Sequence, residues 1–353
     1  MATRYILLLL AVLTAGAQAA LAANRSLPCT ANGPKITACQ NAAFSQAATR
    51  LEATVHNTES LLSQPARAEV ESDRANWLRW TQRICPAQKA ECLTPFYQSE
   101  ASMLTEGSTQ IDGMRIYPRA QYRISPITQR SPQKPQPVPD NPSLGVSAIS
   151  WPQIDHADEV QQSWNRAMRK AALAMSIRTD KQDKLFSPFP LTGKQVSVTY
   201  QMEPSNPRLM QVRFTLEVAP NEAAHPATTV EQAGWWLTRG RNVEAGDLFR
   251  GANWRKQLTK LSAIALTTEA KQSMGELELF APAEWQPQLM KIVTDPAHWT
   301  LTREGLLLTL PRYTVAAGVY GNPRALVAWK QLRRWMNREA DTGSFPARTR
   351  SIQ

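Results

Sequence analysis

Apolar residues in the first third of the chain recur at helical spacing. Ala43, Ala47, Leu51 and Val55 fall every fourth residue within 40–63, with polar residues between them, which predicts an amphipathic helix. Gln64-Pro65 interrupts that pattern. A second helix is expected over Ala66–Ile84, with Val70, Trp77 and Trp80 on one side. A third follows Cys92, carrying Phe96, Tyr97, Met103 and Leu104, and Gly107 stops it. Residues 108–130 read ambiguously, with Met114–Ile124 as a possible extended segment.

Beyond residue 143 the period changes. Asp158–Ser176 reads as a helix that buries Val160, Trp164, Met168 and Ala171–Leu173. Val196–Tyr200 and Met210–Val218 alternate as strands, the latter through Val212, Phe214, Leu216 and Val218. Further expectations are a strand at Glu231–Thr238, a helix at Trp254–Thr267, and strands at Trp299–Leu301 and Leu306–Leu310 joined across Arg303-Glu304-Gly305. Ala325–Met336 closes the domain, as a strand then a helix or as one helix. Strands in succession with few crossover helices predict an α+β fold with a mainly antiparallel sheet, beside a small all-α N-terminal domain.

The remaining segments divide the chain. Arg4, the eight-residue apolar run Ile6–Leu13 and the small-x-small sites Ala17-Gln18-Ala19 and Ala20-Leu21-Ala22 predict a signal peptide over 1–22, hence export to the periplasm. That run is too short for a membrane span, and no later stretch is apolar enough, so no stable membrane span is expected. The helical domain then covers 24–107 and a connector 108–142. Within the connector, Ser131–Pro142 holds five prolines in twelve residues, the composition of an extended spacer. The α+β domain spans 143–340, and 341–353, rich in Arg, Ser, Thr and Pro, is expected to be disordered.

Export changes how the four cysteines are read. Cys29, Cys39, Cys85 and Cys92 form an even set, which implies two disulfides in an oxidising compartment. Gaps of nine and six residues match no zinc-ligand pattern. Three pairings are possible. Cys29–Cys39 with Cys85–Cys92 is favoured because each closes a short local loop.

The net charge of +11 is unevenly placed: +1 over 24–105, +2 over 106–142 and +7 over 143–353. Export removes nucleic acid as a partner. The anionic alternatives are peptidoglycan carboxylates, lipid headgroups or an acidic protein.

Catalytic signatures are missing. The four histidines, His56, His156, His225 and His298, include no pair at i, i+4, and there is no HExxH, GxSxG, P-loop or GxGxxG. With every cysteine oxidised there is no thiol nucleophile. Glu276 and Glu278 alternate on an expected strand, where alternating charge more often marks a solvated face than a glycosidase pair. No metal or cofactor is implied, and a non-enzymatic role is expected. Trp235-Trp236, adjacent in an expected strand, should face opposite sides, one in the core and one exposed or in a groove. An exposed tryptophan is a common interface or sugar-stacking anchor.

Cys29 and Cys39 before an alanine-rich helix, Trp77-Leu78 eight residues before Cys85, and Cys92-Leu93 followed by Tyr97 and Leu104 form a pattern that resembles the N-terminal domain of LprI-like lysozyme inhibitors. Thr81 and Glu100 stand where that pattern usually has arginines. The second domain resembles the extracellular domain of RsiV-type anti-sigma factors, also found in some peptidoglycan deacetylases outside their catalytic part. The residues carrying this are Trp151-Pro152, Trp164-Asn165, Ala224-His225-Pro226, Gly246-Asp247-Leu248-Phe249, then Leu306–Leu310, Tyr313, Val315, Gly321, Trp329 and Leu332. It departs at Ala223, usually glycine, and at Ala317-Gly318, usually a proline and an aromatic. His225 beside Pro226 then reads as a structural turn and, secondarily, as a ligand contact.

Together the resemblances imply a protein that engages a lysozyme-like muramidase or another peptidoglycan-associated protein. The alternative is a module that binds an anionic glycan or wall polymer through the basic second domain, and a cell-wall hydrolase is a third reading. Candidate binding residues are Trp235, Trp236, His225 and Tyr313. Basic lysozymes would be repelled by a basic domain on approach, which weighs against direct inhibition of such enzymes.

Overall fold

The computed structural model describes residues 27–29, 34–85, 88–125, 145–186, 194–220, 226–273, 282–312, 314–315, 321–340 and 342–347. The expected signal peptide, the proline-rich spacer, Glu276, Glu278, His225 and Tyr313 lie outside them. The chain forms two compact units. One comprises Met1–Thr109 with Tyr117–Ser125, the other Gln110–Ile116 with Pro126–Gln353.

The first unit is built on α1 (Ala42–Ser60), α2 (Gln64–Ile84) and α3 (Ala90–Gly107). Asn41 caps α1, its side chain accepting from the Phe44 N–H at 3.1 Å. Ser63 caps α2 through the Ala66 N–H at 3.3 Å. Pro65 therefore begins the second helix instead of separating it from the first, because a first-turn residue needs no N–H for the helical ladder. The core is aromatic. Tyr97 meets Phe44 and Trp77 edge-on, with centroids 4.9 and 4.8 Å away. The disulfides are Cys29–Cys39 and Cys85–Cys92, the two local pairings. The second bridges the turn from α2 to α3.

Residues assigned to the connector are strands: β1 (Thr109–Ile111) and β2 (Met114–Ser125). The turn between them runs through Asp112 and Gly113, both at positive φ. A seven-stranded sheet has the order β1 to β7, continuing with β3 (Gly145–Ile154), β4 (Lys194–Met202), β5 (Leu209–Pro220), β6 (Ala227–Trp236) and β7 (Arg241–Asn242). Pairing from β4 through β7 is antiparallel. β3 and β4 are parallel, joined by the crossover helix α4 (Glu159–Phe186). Trp164, Met168, Ala172 and Met175 of α4 face a core with Ile149, Val198, Val212, Phe214 and Trp235. Val160, expected on that buried side, is 42% exposed, because the inward row begins one turn later at Trp164.

The rest of the second unit contains α5 (Ala245–Leu248), α6 (Trp254–Ser273), α7 (Pro282–Val293), β8 (Trp299–Leu301), β9 (Gly305–Thr309), β10 (Arg324–Ala328) and α8 (Trp329–Leu332). A second antiparallel sheet has the order β10-β9-β8. Its core gathers Leu258, Leu289, Val293, Trp299, Leu306 and Leu308. The expected strand at Glu231–Thr238 begins and ends earlier, because residues 237–239 turn as a 3-10 helix before Gly240 at φ 62°. Part of the tail expected to be disordered is packed instead. Thr342–Ser344 forms a 3-10 turn and Phe345 is buried against Trp236 and Trp329. Arg303 N–H also bonds the Pro346 carbonyl at 2.9 Å. Asn206 Nδ2 donates to the Ser344 carbonyl at 2.8 Å, so the segment is held by hydrogen bonds as well as by the Phe345 ring. Among the described residues no helix is long and apolar enough to cross a membrane.

Candidate functional site

Three of the described motif residues of the second unit, Asn165, Trp329 and Asp247, tie its segments together. Asn165 accepts from the Ile154 N–H at 2.8 Å and donates to the same residue's carbonyl at 3.1 Å, locking α4 to the end of β3. Trp329 Nε1 donates to the Thr302 carbonyl at 2.7 Å. Asp247 is a buried hub: its carboxylate accepts from Trp236 Nε1 at 3.0 Å, the Glu244 N–H at 2.8 Å, Arg239 at 2.7 Å and Arg241 at 2.5 Å. Burial alone would raise the Asp247 pKa, but the Arg241, Glu244 and Trp236 bonds outweigh it and hold the carboxyl below its ordinary range.

The paired tryptophans face opposite sides of β6 as expected. Trp235 is buried in the α4 core, and its indole N–H has no hydrogen-bond partner among the described residues. Trp236 is half-buried against the other core, with Arg239 over its ring at 5.4 Å and Phe345 at 6.0 Å. Both are therefore engaged by the protein itself. His56 and His156 are exposed, while burial lowers the pKa of half-buried His298. Among the described residues no group of three His, Cys, Asp or Glu side chains is placed to hold a metal ion.

An open groove of about 480 Å³ lies elsewhere in the second unit, lined by Arg250, Gly251, Ala252, Asn253, Gln257, Arg334 and Trp335. Two chain segments are stitched together to make it. Arg250 N–H bonds the Trp335 carbonyl at 2.9 Å, Phe249 bridges Met336, and Asn337 N–H bonds the Leu248 carbonyl at 2.8 Å. Beneath, Phe249 stacks on Trp254 with centroids 4.7 Å apart, and both rings meet the edge of buried Trp299. This floor fixes the start of α6, where the Asn253 carbonyl takes the Gln257 N–H at 3.2 Å.

A twenty-residue helix thus begins at the groove. Its first N–H groups lack intrahelical partners and its N-terminus carries partial positive charge. Arg250 and Arg334 are exposed, and neither meets a carboxylate among the described residues. Trp335 is half-buried and lines the groove with them. Two planar guanidinium forks suit carboxylate or phosphate. Asn253 and Gln257 supply amides for hydroxyl groups, and an indole face suits a sugar ring.

None of these groove residues was among the sequence candidates. The available signal was local alternation of basic and aromatic residues, Arg250 to Arg255 around Trp254 and Arg333-Arg334-Trp335. What the sequence lacked was the pairing that brings positions some eighty residues apart together.

In the first unit, Thr81 and Glu100, the positions where the LprI-like pattern has arginines, are both buried. Thr81 Oγ1 donates to the Leu78 carbonyl at 3.0 Å, and Glu100 Oε2 accepts from Tyr122 Oη at 2.7 Å. These are interior contacts.

No protein family matches the chain by sequence, and no curated protein does. Among solved structures it is similar to a DUF3298 family member from Bacteroides fragilis, with 10% identity, TM-score 0.42, and coverage of 67% of this chain and 98% of that one. It is likewise similar to a DUF3298 family protein from Pseudomonas aeruginosa PAO1, with 14% identity, TM-score 0.43, and coverage of 67% and 99%.

Proposed function

We propose that this is a non-catalytic, exported protein of the cell envelope whose second unit binds an anionic wall glycan, with peptidoglycan as the leading ligand. The groove of Arg250, Arg334 and Trp335 is the observation that supports the reading. A carboxylate of the glycan or its peptide pairs with the guanidinium groups, and a sugar ring lies on the indole. Opposite charge over residues 143–353, at +7, assists the approach.

Sedimentation of the purified protein with isolated peptidoglycan tests this. Retention at low salt, weakened at moderate salt, is expected. Combined Arg250→Ala and Arg334→Ala should cut it at least tenfold. Salt-insensitive failure to sediment, or unchanged retention of the double variant, overturns the proposal.

A second reading concerns the first unit. Its local disulfide pair and aromatic helical core fit the pattern resembling LprI-like lysozyme inhibitors, which favours engagement of a muramidase or another peptidoglycan-associated protein. Capture of a lysozyme, retained by the groove variant, supports it. Failure to bind or slow basic and acidic lysozymes at micromolar concentration ends it.

A further inference from the structure

The strand segment Tyr117–Ser125 is fastened to the helical unit by a row of polar contacts. Tyr117 Oη donates to Glu69 Oε2 at 2.6 Å, and Arg119 Nε donates to Asp73 Oδ2 at 2.7 Å. The Ala120 N–H donates to the same Asp73 oxygen at 3.0 Å. Tyr122 Oη donates to Glu100 Oε2 at 2.7 Å, and the Arg123 carbonyl accepts from Trp80 Nε1 at 3.1 Å. Glu69, Asp73 and Trp80 share one face of α2, at spacings of four and seven residues. Glu100 reaches the same strand from α3.

Glu100 differs from the other two carboxyls. Arg119 serves both Glu69 and Asp73, at 2.5 and 2.7 Å. Glu100 is only 8% exposed and meets a neutral hydroxyl. The groups around it are Asp73 and Arg74 of α2, Leu51 and Val55 of α1, and Tyr122 of the strand. Arg74 is paired with Glu59 of α1 at 2.9 Å, and Asp73 adds repulsion. The cavity beside them is about 10 Å³, room for about one water.

We propose that Glu100 and Tyr122 form a pH-sensitive latch, in which protonated Glu100 keeps Tyr117–Ser125 seated on the helices and loss of its proton loosens that segment. The Tyr122 hydrogen bond favours the ionised carboxylate, but burial is the larger influence and pushes the Glu100 pKa up to about 8. A new buried charge needs water. The single-water cavity cannot supply it unless the strand segment moves away.

Amide hydrogen exchange of the full chain, followed by mass spectrometry from pH 6.5 to 9.5 and corrected for the intrinsic rate, tests the latch. Peptides covering 117–125 should lose protection at least tenfold with a midpoint near pH 8, while α1 peptides stay protected. Glu100→Gln should abolish the transition. Tyr122→Phe should move the midpoint upward, since it deletes the bond that favours ionisation. Unchanged protection of the wild type across the range overturns the latch, as does the same transition in Glu100→Gln. Should that variant not fold, an unshifted midpoint in Tyr122→Phe is equally decisive.

Discussion

The side-chain amide of Gln211 holds the backbone of Leu301 by both ends: Oε1 accepts from the Leu301 N–H at 2.6 Å, and Nε2 donates to the Leu301 carbonyl at 2.9 Å. This one side chain ties β5 of the large sheet to β8 of the small one, from a site 1% exposed. Gln211→Leu leaves both backbone groups unpaired in the interior. A loss of about 3 kcal/mol is expected, measured by urea denaturation at neutral pH.

Gly305 predicts a steric failure in the same sheet. A Cβ there would collide with the carbonyl oxygen of Val327 and lie 2.9 Å from the Ala328 Cα, all backbone atoms of the paired strand β10. Backbone in a sheet cannot swing aside as a side-chain tip does. Gly305→Ala should cost roughly 3 kcal/mol or more, or prevent folding. A variant as stable as the wild type would mean that β9 and β10 do not approach as described.

The raised pKa of Glu100 fixes a sign for stability against pH. Its folded-state pKa, about 8, lies above the ordinary 4.5. Its contribution is therefore full below about pH 4.5 and is lost as pH rises through 8. Denaturation midpoints of wild type and Glu100→Gln at pH 5 and pH 9 should diverge. The wild type should weaken at the higher pH by more than the variant does.

Cys85–Cys92 closes a loop of seven residues' separation at the α2–α3 turn. The loop-entropy relation gives about 2.5 kcal/mol for a loop of this size. Replacing both cysteines by serine should lower the stability of the helical unit by about that amount and leave the groove's ligand binding intact. Urea titration and peptide-resolved hydrogen exchange together check both halves of the expectation.

Trp236 offers a test between packing and recognition. Trp236→Phe keeps an aromatic ring against Phe345, deletes the 3.0 Å bond to Asp247 and leaves a smaller ring under Arg239. About 2 kcal/mol should be lost, as for hydrogen bonds to charged groups. Retention on peptidoglycan should match the wild type, and a tenfold drop without unfolding would return Trp236 to the binding surface.

Helix and strand identity was legible where periodicity was long. The four-residue rhythm through Leu51 and Val55 and the alternation through Val212, Phe214 and Leu216 both lie where the structure buries them. Even-numbered cysteines in short loops matched the pairing that formed. The extent of β6 was less legible, because its end depends on the turn at Gly240 and not on the strand's own residues. Segments without a strong period, such as β3 and α7, were not anticipated. Their apolar residues make sense only against partners elsewhere in the chain.

By itself the sequence determined the fold class, the helical and strand periodicity, the even set of cysteines and the concentration of positive charge beyond residue 143. These follow from local spacing or from composition, and both can be read along a line. Tertiary structure alone decided which polar residues meet. It buried Glu100 against Tyr122, gave Asp247 to two arginines and a tryptophan, and set Arg250 beside Trp335. Those outcomes depend on which distant segments pack together, because a side chain's hydrogen-bond partners and its exposure to water are properties of the assembled surface.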